Sequence, residues 1–400
     1  MNRLGIYVQV PFCQTKCTYC NFHTGVVSTG RFAPYVEAVC GEIRGYRELY
    51  RAAEVKLPEG FEKAVVDTVY IGGGTPSLLE AGLLQGMMDA IGEAFAMKEG
   101  GASPSPTNVT REVTLEADPE TVTAEKAAAW VAAGINRVSF GVQSFSDKEL
   151  VAAGRMHRRA DIYRAAGILR DAGIRNVSFD LIAGLPWQTA ESWKESLEEL
   201  WKLGPEHVSI YLLEVDEGSR LGLEILQSGT RYSAGAVPSD DLMAEFYETA
   251  CAFLEDLGYH HYEISNWARP GFESRHNLKY WRREAYLGFG AGAHSFSGMQ
   301  RWANAHDAAA YVAAISAGRL PVEQVEVVTR ESALEEELFL GLRQLDGIDV
   351  GRIEREYGVA LHTRFGALEA AGLIEREGEI VRLAPARLSV SNEVFVELMR

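Results

Sequence analysis

Residues 6–25 read IYVQVPFCQTKCTYCNFHTG, in which a short apolar run leads into Cys13, Cys17 and Cys20. No fourth cysteine follows at a spacing that would complete a four-ligand metal site. Four thiolates normally satisfy the irons of a [4Fe–4S] cluster. Three thiolates would leave one iron with an open position, to which a small molecule could bind through its amine and carboxylate.

Three simpler explanations of the cysteines compete with an iron–sulfur cluster. A structural zinc site usually completes its tetrahedral coordination with a fourth ligand, and His23 is the local candidate. A thioredoxin-like redox pair would use Cys17 and Cys20 and leave Cys13 unexplained. A c-type haem attachment needs a histidine where Asn21 stands, so this explanation is excluded.

Composition and charge exclude several other classes of protein. The chain has 400 residues and a formal net charge of −17, which argues against a long nucleic-acid or anionic-membrane footprint. No apolar run of about 18 residues predicts a transmembrane helix, and Cys13 interrupts any secretory signal. Five cysteines with three close together are not a disulfide framework, so we expect a cytoplasmic protein with reduced thiols.

The first 300 residues alternate short β-rich runs with helical patterns, which is typical of βαβ units and a parallel sheet. The predicted strands span 4–10, 68–74, 112–117, 137–142, 176–182 and 207–213. The predicted helices lie near 32–53, 77–98, 123–133, 147–153, 160–172 and 189–203. Six such units predict an α/β fold with a partial (β/α)6 barrel rather than a complete eight-fold barrel.

Polar sequences follow four of the predicted strands, namely GGGTP, EADP, GVQS and DLIAGLP. Ligands bind at the carboxyl ends of the strands in parallel sheets. One or two of these sequences would be ordinary βα turns. Four in succession predict a binding face.

We expect three regions along the chain: a barrel with its extension over 1–300, a connector over 301–330 and a C-terminal domain over 331–400. In the last region, helical stretches, two β-rich runs around the dipeptide EG and a terminal helix resemble a winged helix. The predicted helices span 331–345, 350–357, 361–371 and 391–399. Residues 331–384 hold 12 acidic and 6 basic residues, a net charge of −6, which opposes nucleic-acid binding. The segment 99–111, EGGASPSPTNVTR, is typical of an exposed loop.

The spacing Cys-x3-Cys-x2-Cys after a first strand resembles the radical S-adenosylmethionine (SAM) superfamily. In that family the cluster passes one electron to SAM, giving methionine and a 5′-deoxyadenosyl radical. Seven stretches, the cysteine stretch among them, together resemble its HemN/HemW branch over about 290 residues. They are YVQVPFCQTKCTYCNF, YIGGGTPS, GINRVSFGVQSF, GRMH, DLIAGLP, YEISNWARPGFESRHNLKYW and LGFGAGAHS.

The resemblance implies a [4Fe–4S] cluster on Cys13, Cys17 and Cys20 and a SAM site beside it. The residues that it assigns to SAM are Tyr7, Tyr19, Gly73, Gly74, Thr75, Glu116, Gln143, Arg155 and Asp180. Glycine lets the backbone approach a ligand closely. Acids at strand ends suit the ribose hydroxyls or the amine of SAM.

The branch contains two kinds of protein: oxygen-independent coproporphyrinogen III dehydrogenases, which decarboxylate propionate side chains, and haem chaperones. The dehydrogenases resemble this chain less, because they carry a fourth cysteine two residues after the third and an N-terminal extension. Here Phe22 takes that position and twelve residues precede Cys13. Both differences favour a haem chaperone. Productive SAM cleavage stays open, no residue is assigned a catalytic role, and dehydrogenase or other tailoring activity is the alternative.

The stretch HNLKYW (276–281) matches a His-Asn-x-x-Tyr-Trp motif linked with haem in the chaperone group. On a helix His276 and Tyr280 share a face, and both are predicted to contact haem. The alternative is a hydrogen-bonded structural histidine among core aromatics, and His294 is a second candidate ligand. The resemblance implies haem as cargo and respiratory-type haemoproteins as acceptors. A homodimer and a peripheral membrane contact stay open.

Overall fold

The computed structural model describes residues 3–58, 60–97 and 111–398, so most of the predicted loop 99–111 lies outside the described residues. Six strands follow the predicted order along the chain. They are β1 (Arg3–Val10), β2 (Val65–Gly73), β3 (Glu112–Ala117), β4 (Arg137–Gln143), β5 (Asn176–Ala183) and β6 (His207–Leu212). Each pairs in parallel with the next, which confirms the partial (β/α)6 barrel.

Helices follow the strands as the periodicity predicts. Those over the barrel are α1 (Phe32–Ala52), α2 (Ala81–Ala94), α3 (Ala124–Ala132), α4 (Asp147–Ala152), α5 (Arg159–Asp171) and α6 (Ala190–Leu203). The prediction 77–98 was too long. Pro76–Leu78 forms a separate 3-10 turn, Leu79 and Glu80 are extended, and Ala96–Met97 pairs beside β2.

The sheet continues beyond the six strands at both edges. Two further helices follow β6, α7 (Arg220–Leu226) and α8 (Asp240–Asp256), and α9 (Arg275–Trp281) precedes a seventh parallel strand. The added strands are β7 (His260–Glu263), β8 (Asn266–Ala268), β9 (Tyr286–Phe289), β10 (His294–Phe296), β11 (Gln300–Asn304) and β12 (Val322–Val327). β9 pairs in parallel with β1, and the others are antiparallel. Residues 301–330, the predicted connector, include most of β11, α10 (Ala308–Ser316) and β12; the domain bounds stay a prediction.

Side-chain alternation along the strands separates core from barrel interior, as the two-residue period of a strand requires. In β4, Val138, Phe140 and Val142 are fully buried under the helices. The intervening residues, Arg137, Ser139, Gly141 and Gln143, line a cavity inside the barrel. The barrel interior is therefore polar on a strand whose other face is apolar.

The C-terminal region has the predicted order of helices and hairpin. Its elements are α11 (Arg330–Gly341), β13 (Ile348–Asp349), α12 (Val350–Tyr357), α13 (His362–Ala370), β14 (Ile374–Glu377), β15 (Ile380–Leu383) and α14 (Ser391–Leu398). The sequence missed β13, which is only two residues long and pairs with β15. Glu336 on α11 forms ion pairs with Arg283 and Arg301, which join this region to the sheet. Within the described residues no helix is long and apolar enough to cross a membrane.

Glu42 on α1 is a fully buried carboxylate that holds the extension of the sheet against the barrel. It accepts hydrogen bonds from Tyr311 Oη at 2.5 Å, Asn304 Nδ2 at 2.8 Å and the backbone N–H of Gly290 at 2.9 Å. Burial raises the pKa of Glu42 from its ordinary 4.5 to about 7. The folded protein therefore binds this proton more tightly than the unfolded chain does.

Stability should fall as the pH rises from 4.5 to 7, because the unfolded chain releases the proton of Glu42 in this range while the folded protein still holds it. The effect is worth about 3 kcal/mol. Glu42→Gln should flatten this part of the pH profile, since any stability lost through its altered hydrogen bonds does not depend on pH. Thermal unfolding of both proteins across this range measures the difference. Glu37→Gln, on the exposed face of α1, is the matched control, and a profile unchanged by Glu42→Gln would contradict the assignment.

Candidate metal centre and binding cavity

A cavity of about 530 Å³ opens inside the barrel at the carboxyl ends of the strands. Most of the predicted site residues line it. These are Cys13, Cys17, Tyr19, Cys20, Gly73, Gly74, Thr75, Glu116, Gln143, Arg155 and Asp180. The barrel therefore brings together residues that are far apart in sequence, as expected for the ends of neighbouring parallel strands.

The three cysteines lie on the loop between β1 and α1. Thr18, between the second and third cysteine, donates its backbone N–H to Ala153 O at 3.0 Å and accepts from the N–H of Leu221 at 2.8 Å. All five cysteines are free thiols. The loop is thus held by backbone hydrogen bonds on both sides rather than by a disulfide.

The donor set fits an iron–sulfur cluster better than a single metal ion. Within the described part of the chain, no three His, Cys, Asp or Glu side chains are grouped to hold one ion. In a [4Fe–4S] cluster each thiolate binds a different iron, so the thiols need not converge on one point. Burial raises the pKa of Cys13 and of Cys20, and cluster iron is the positive charge that would keep these thiolates ionised.

The GGGTP sequence at the end of β2 packs directly on the cysteine loop. Gly74 donates its backbone N–H to Val10 O at 2.9 Å, and Thr75 donates to Phe12 O at 2.7 Å. A Cβ on Gly74 would lie 2.5 Å from Phe12 O, and one on Gly73, whose φ is +105°, would lie 2.3 Å from the Gln9 side chain. Only glycine fits both positions.

Glu116 at the end of β3 faces the same turn from the cavity side. It accepts hydrogen bonds from the backbone N–H of Gly73 at 2.8 Å and from Tyr70 Oη at 2.9 Å. Burial raises the pKa of Glu116 to about 7. A bound cation or a hydroxyl donor would therefore stabilise the ionised form of Glu116.

Arg155 connects the cysteine loop with the strand ends. Its Nη1 lies 3.4 Å from Cys17 Sγ, its Nη2 donates to Gly141 O at 2.9 Å, and it forms an ion pair with Asp118. Asp118 also accepts from Thr75 Oγ1 at 3.1 Å. The sequence analysis did not single out Asp118, although it stands in the same EADP turn as Glu116.

Gln143 and Asp180 complete the polar wall at the ends of β4 and β5. Gln143 has a φ of +65°, a conformation that costs a residue with a Cβ about 1–3 kcal/mol and is found mainly at functional sites. Asp180 accepts from Ser139 Oγ at 3.1 Å, and burial raises its pKa. Both residues line the cavity, where a ligand would meet them.

Arg137 is a cavity residue that sequence reasoning missed. It is 2% exposed, and its Nε has no hydrogen-bond partner. Within the described residues no ion pair or hydrogen bond to its guanidinium is found. The sequence could have indicated this, because Arg137 stands two residues before Ser139 and therefore on the same, inward-facing side of β4.

Three predicted residues lie outside the cavity wall. Tyr7 donates its hydroxyl to Gln9 Oε1 at 2.6 Å, and its ring lies near that of His276. His276 is fully buried, with Nδ1 2.9 Å from Thr68 Oγ1 and Nε2 2.8 Å from Tyr280 Oη. Burial lowers the pKa of His276 to about 3. Of this motif, Asn277 is the residue that reaches the cavity wall.

The C-terminal region closes part of the cavity. Leu388, Ser389, Ser391 and Asn392 line it together with the barrel residues. These residues stand at the start of α14 and in the turn before it. The sequence showed no motif there, so this contribution could not be foreseen.

Comparison with known proteins agrees with this architecture. Residues 7–212 match the family model of the Radical SAM superfamily, and residues 328–386 match the HemN C-terminal domain. The chain is 34% identical over 393 residues to Heme chaperone HemW of Bacillus subtilis, covering 97% of both chains. It is 33% identical over 293 residues to Heme chaperone HemW of Escherichia coli, covering 73% of this chain and 69% of that protein. The structure of coproporphyrinogen III oxidase (HemN) from E. coli matches with a TM-score of 0.80 at 21% identity, covering 99% of this chain and 90% of that chain.

The fold and the cysteine loop define a radical SAM protein, a class that implies a [4Fe–4S] cluster and SAM. The likeness to HemN concerns the fold alone, whereas the Bacillus subtilis relative is similar over 97% of this chain. The chain belongs to the HemW family within the radical SAM superfamily. The resemblance predicted from the motifs is thereby confirmed.

Cys17→Ala should abolish the iron–sulfur absorbance of the anaerobically reconstituted protein, because two thiolates cannot hold the cluster that three hold. Visible absorbance and iron content per chain measure the loss. Cys40→Ala, a buried thiol on α1, is the matched control and should keep both signals. Full absorbance in Cys17→Ala would disprove the assignment of the cluster to this loop.

Proposed function

We propose that this chain is a haem chaperone that binds haem as cargo and passes it to acceptor haemoproteins. The observation that carries the proposal is the identity of 34% over 97% of both chains with a protein named Heme chaperone HemW. Phe22 supports the proposal, because the porphyrinogen-oxidising members of the branch carry a cysteine at this position. The Phe22 side chain is 66% exposed. We place the protein in the cytoplasm and expect respiratory-type haemoproteins as acceptors.

We further propose that Cys13, Cys17 and Cys20 hold a [4Fe–4S] cluster and that SAM binds beside it in the barrel cavity. When bound, the two groups together supply one-electron chemistry. Of the chain's own residues, Gly73 and Gly74 offer backbone groups, and Thr75 is held by the ion-paired Asp118. The remaining polar contacts would come from Glu116, Gln143, Arg155 and Asp180, with Tyr19 at the loop and Tyr7 behind the wall.

Glu116→Gln should weaken SAM binding by roughly tenfold to a hundredfold, because a hydrogen bond to a charged group is worth about 1.5–3 kcal/mol. Since the ionised carboxylate is the better acceptor and its pKa is about 7, affinity in the unaltered protein should rise as the pH increases through 7. Calorimetric titration of the reconstituted protein with SAM measures both effects. Glu37→Gln is the control, and a pH profile that Glu116→Gln leaves unchanged would contradict the role.

Haem binding through the HNLKYW motif requires a change in the geometry around His276. Both of its ring nitrogens are hydrogen-bonded, and it lies among Tyr7, Tyr70 and Tyr280. Ligation of haem iron by Nε2 would first break the bond to Tyr280 Oη. The contacts of His276 and Tyr280 with haem therefore stay a proposal that depends on such a movement.

Titration of the reconstituted protein with haem should show saturable binding, whereas incubation with coproporphyrinogen III, SAM and a reductant should release no CO₂. The reason is that the chaperone needs a haem site but no decarboxylation chemistry. Soret absorbance measures the first result and trapped CO₂ the second. A coproporphyrinogen III dehydrogenase assayed alongside is the positive control. Turnover of the porphyrinogen without haem binding would favour the enzyme instead.

A further inference from the structure

The chain has nine histidines, and an axial ligand of haem iron must offer one ring nitrogen to a large, flat group. Three of them, His157, His207 and His276, are at most 1% exposed. His261 is stacked on Trp267 with ring centroids 4.0 Å apart, and its Nε2 lies 3.1 Å from Ile264 O. These four imidazoles cannot meet a porphyrin without rearrangement of the core.

Three other histidines come together on the surface beside the cysteine loop. His23 follows the last cysteine, His294 begins β10, and His306 precedes α10. The rings of His23 and His306 have centroids 4.0 Å apart and are tilted by 33°. All three residues are exposed, and no hydrogen bond joins their rings to any residue that the structure describes. We call these residues the imidazole cluster.

The imidazoles of the cluster make no hydrogen bond to the residues that the structure describes, so their ring nitrogens are available to a metal. The loop before β10 also passes close beneath the cluster, since a Cβ on Gly292 would lie 3.0 Å from His306 Nδ1.

An exposed apolar surface adjoins His23 on the same loop. Phe22 is 66% exposed, Val26 is 59% exposed and Val27 is 40% exposed. Large apolar side chains left in water next to a polar group commonly mark a binding surface. A porphyrin offers an apolar, aromatic face to such side chains while its iron takes a nitrogen ligand.

The chemistry of the cluster selects haem iron over a free metal ion. Among the described residues, no three His, Cys, Asp or Glu side chains are grouped to hold a single ion. Haem iron already has four porphyrin nitrogens and needs only one or two ligands from the protein. Two adjacent imidazoles and a third nearby meet that requirement.

We propose that the imidazole cluster is the haem docking site, with His306 and one of the other two imidazoles, His23 or His294, as axial ligands and Phe22 and Val26 contacting the porphyrin. This inference rests on the proposed function and names its site. It places the cargo on the surface next to the cysteine loop, where haem can dock without the movement that ligation by His276 would need. Haem held there remains accessible to an acceptor protein.

The test is haem titration of the reconstituted protein and of the variant His23→Ala/His294→Ala/His306→Ala. We expect the variant to lose at least about tenfold in affinity, or about 1.4 kcal/mol, together with the absorbance bands of imidazole-ligated haem. Added imidazole should restore those bands. The matched control is His260→Ala/His362→Ala, two exposed histidines outside the cluster, which should bind haem as the unaltered protein does.

The outcomes distinguish failure of the proposed haem site from failure of the proposed function. Unchanged affinity and unchanged bands in the triple variant, with haem bound by the unaltered protein, would overturn the imidazole cluster alone. Failure of the unaltered protein to bind haem would overturn the proposed function itself. If the triple variant loses its iron–sulfur absorbance, His306→Ala carries the test, because His306 lies outside the cysteine loop. Unaltered haem bands in that variant and in His294→Ala would then count against the cluster.

Discussion

The site depends on one backbone contact, the packing of the GGGTP turn against the strand that leads to the cysteines. Gly74 and Thr75 donate to the carbonyls of Val10 and Phe12, and no side chain fits between the two segments. This contact fixes the cysteine loop on the barrel edge and aims the next turn at the cavity. Glu116 then accepts a hydrogen bond from the N–H of Gly73, so the cysteine loop, the GGGTP turn and Glu116 form one unit.

Charge inside the barrel is arranged around this unit. Arg155 joins the cysteine loop with Asp118, while Glu116 and Asp180 carry pKa values raised by burial. Arg137 adds a buried guanidinium without an ion-pair partner among the described residues. Buried charge of this kind is costly, and a ligand that brings its own charged groups, as SAM does, would offset part of that cost.

The sequence predicted the barrel strands within about three residues, because alternating apolar residues and glycine-rich turns are local signals. The cysteine spacing and the strand-end motifs likewise predicted residues most of which line the cavity. Two residues were missed although the sequence carried a local signal: Asp118 stands in the EADP turn, and Arg137 stands two residues before Ser139 on the same strand. Leu388 could not be predicted, because it reaches the cavity through tertiary packing. His276 was predicted to contact haem, and the fold buries it with both ring nitrogens hydrogen-bonded, so this contact stays a prediction.

We propose above all that this radical SAM scaffold carries haem for other proteins. The most direct measurement is the transfer of haem from the loaded, reconstituted protein to an excess of an apo-haemoprotein of the respiratory chain, followed by its Soret band. We predict that the acceptor gains haem faster than haem dissociates from the loaded protein into buffer, which requires contact between the two proteins. Transfer at the dissociation rate, or no transfer, would contradict the claim.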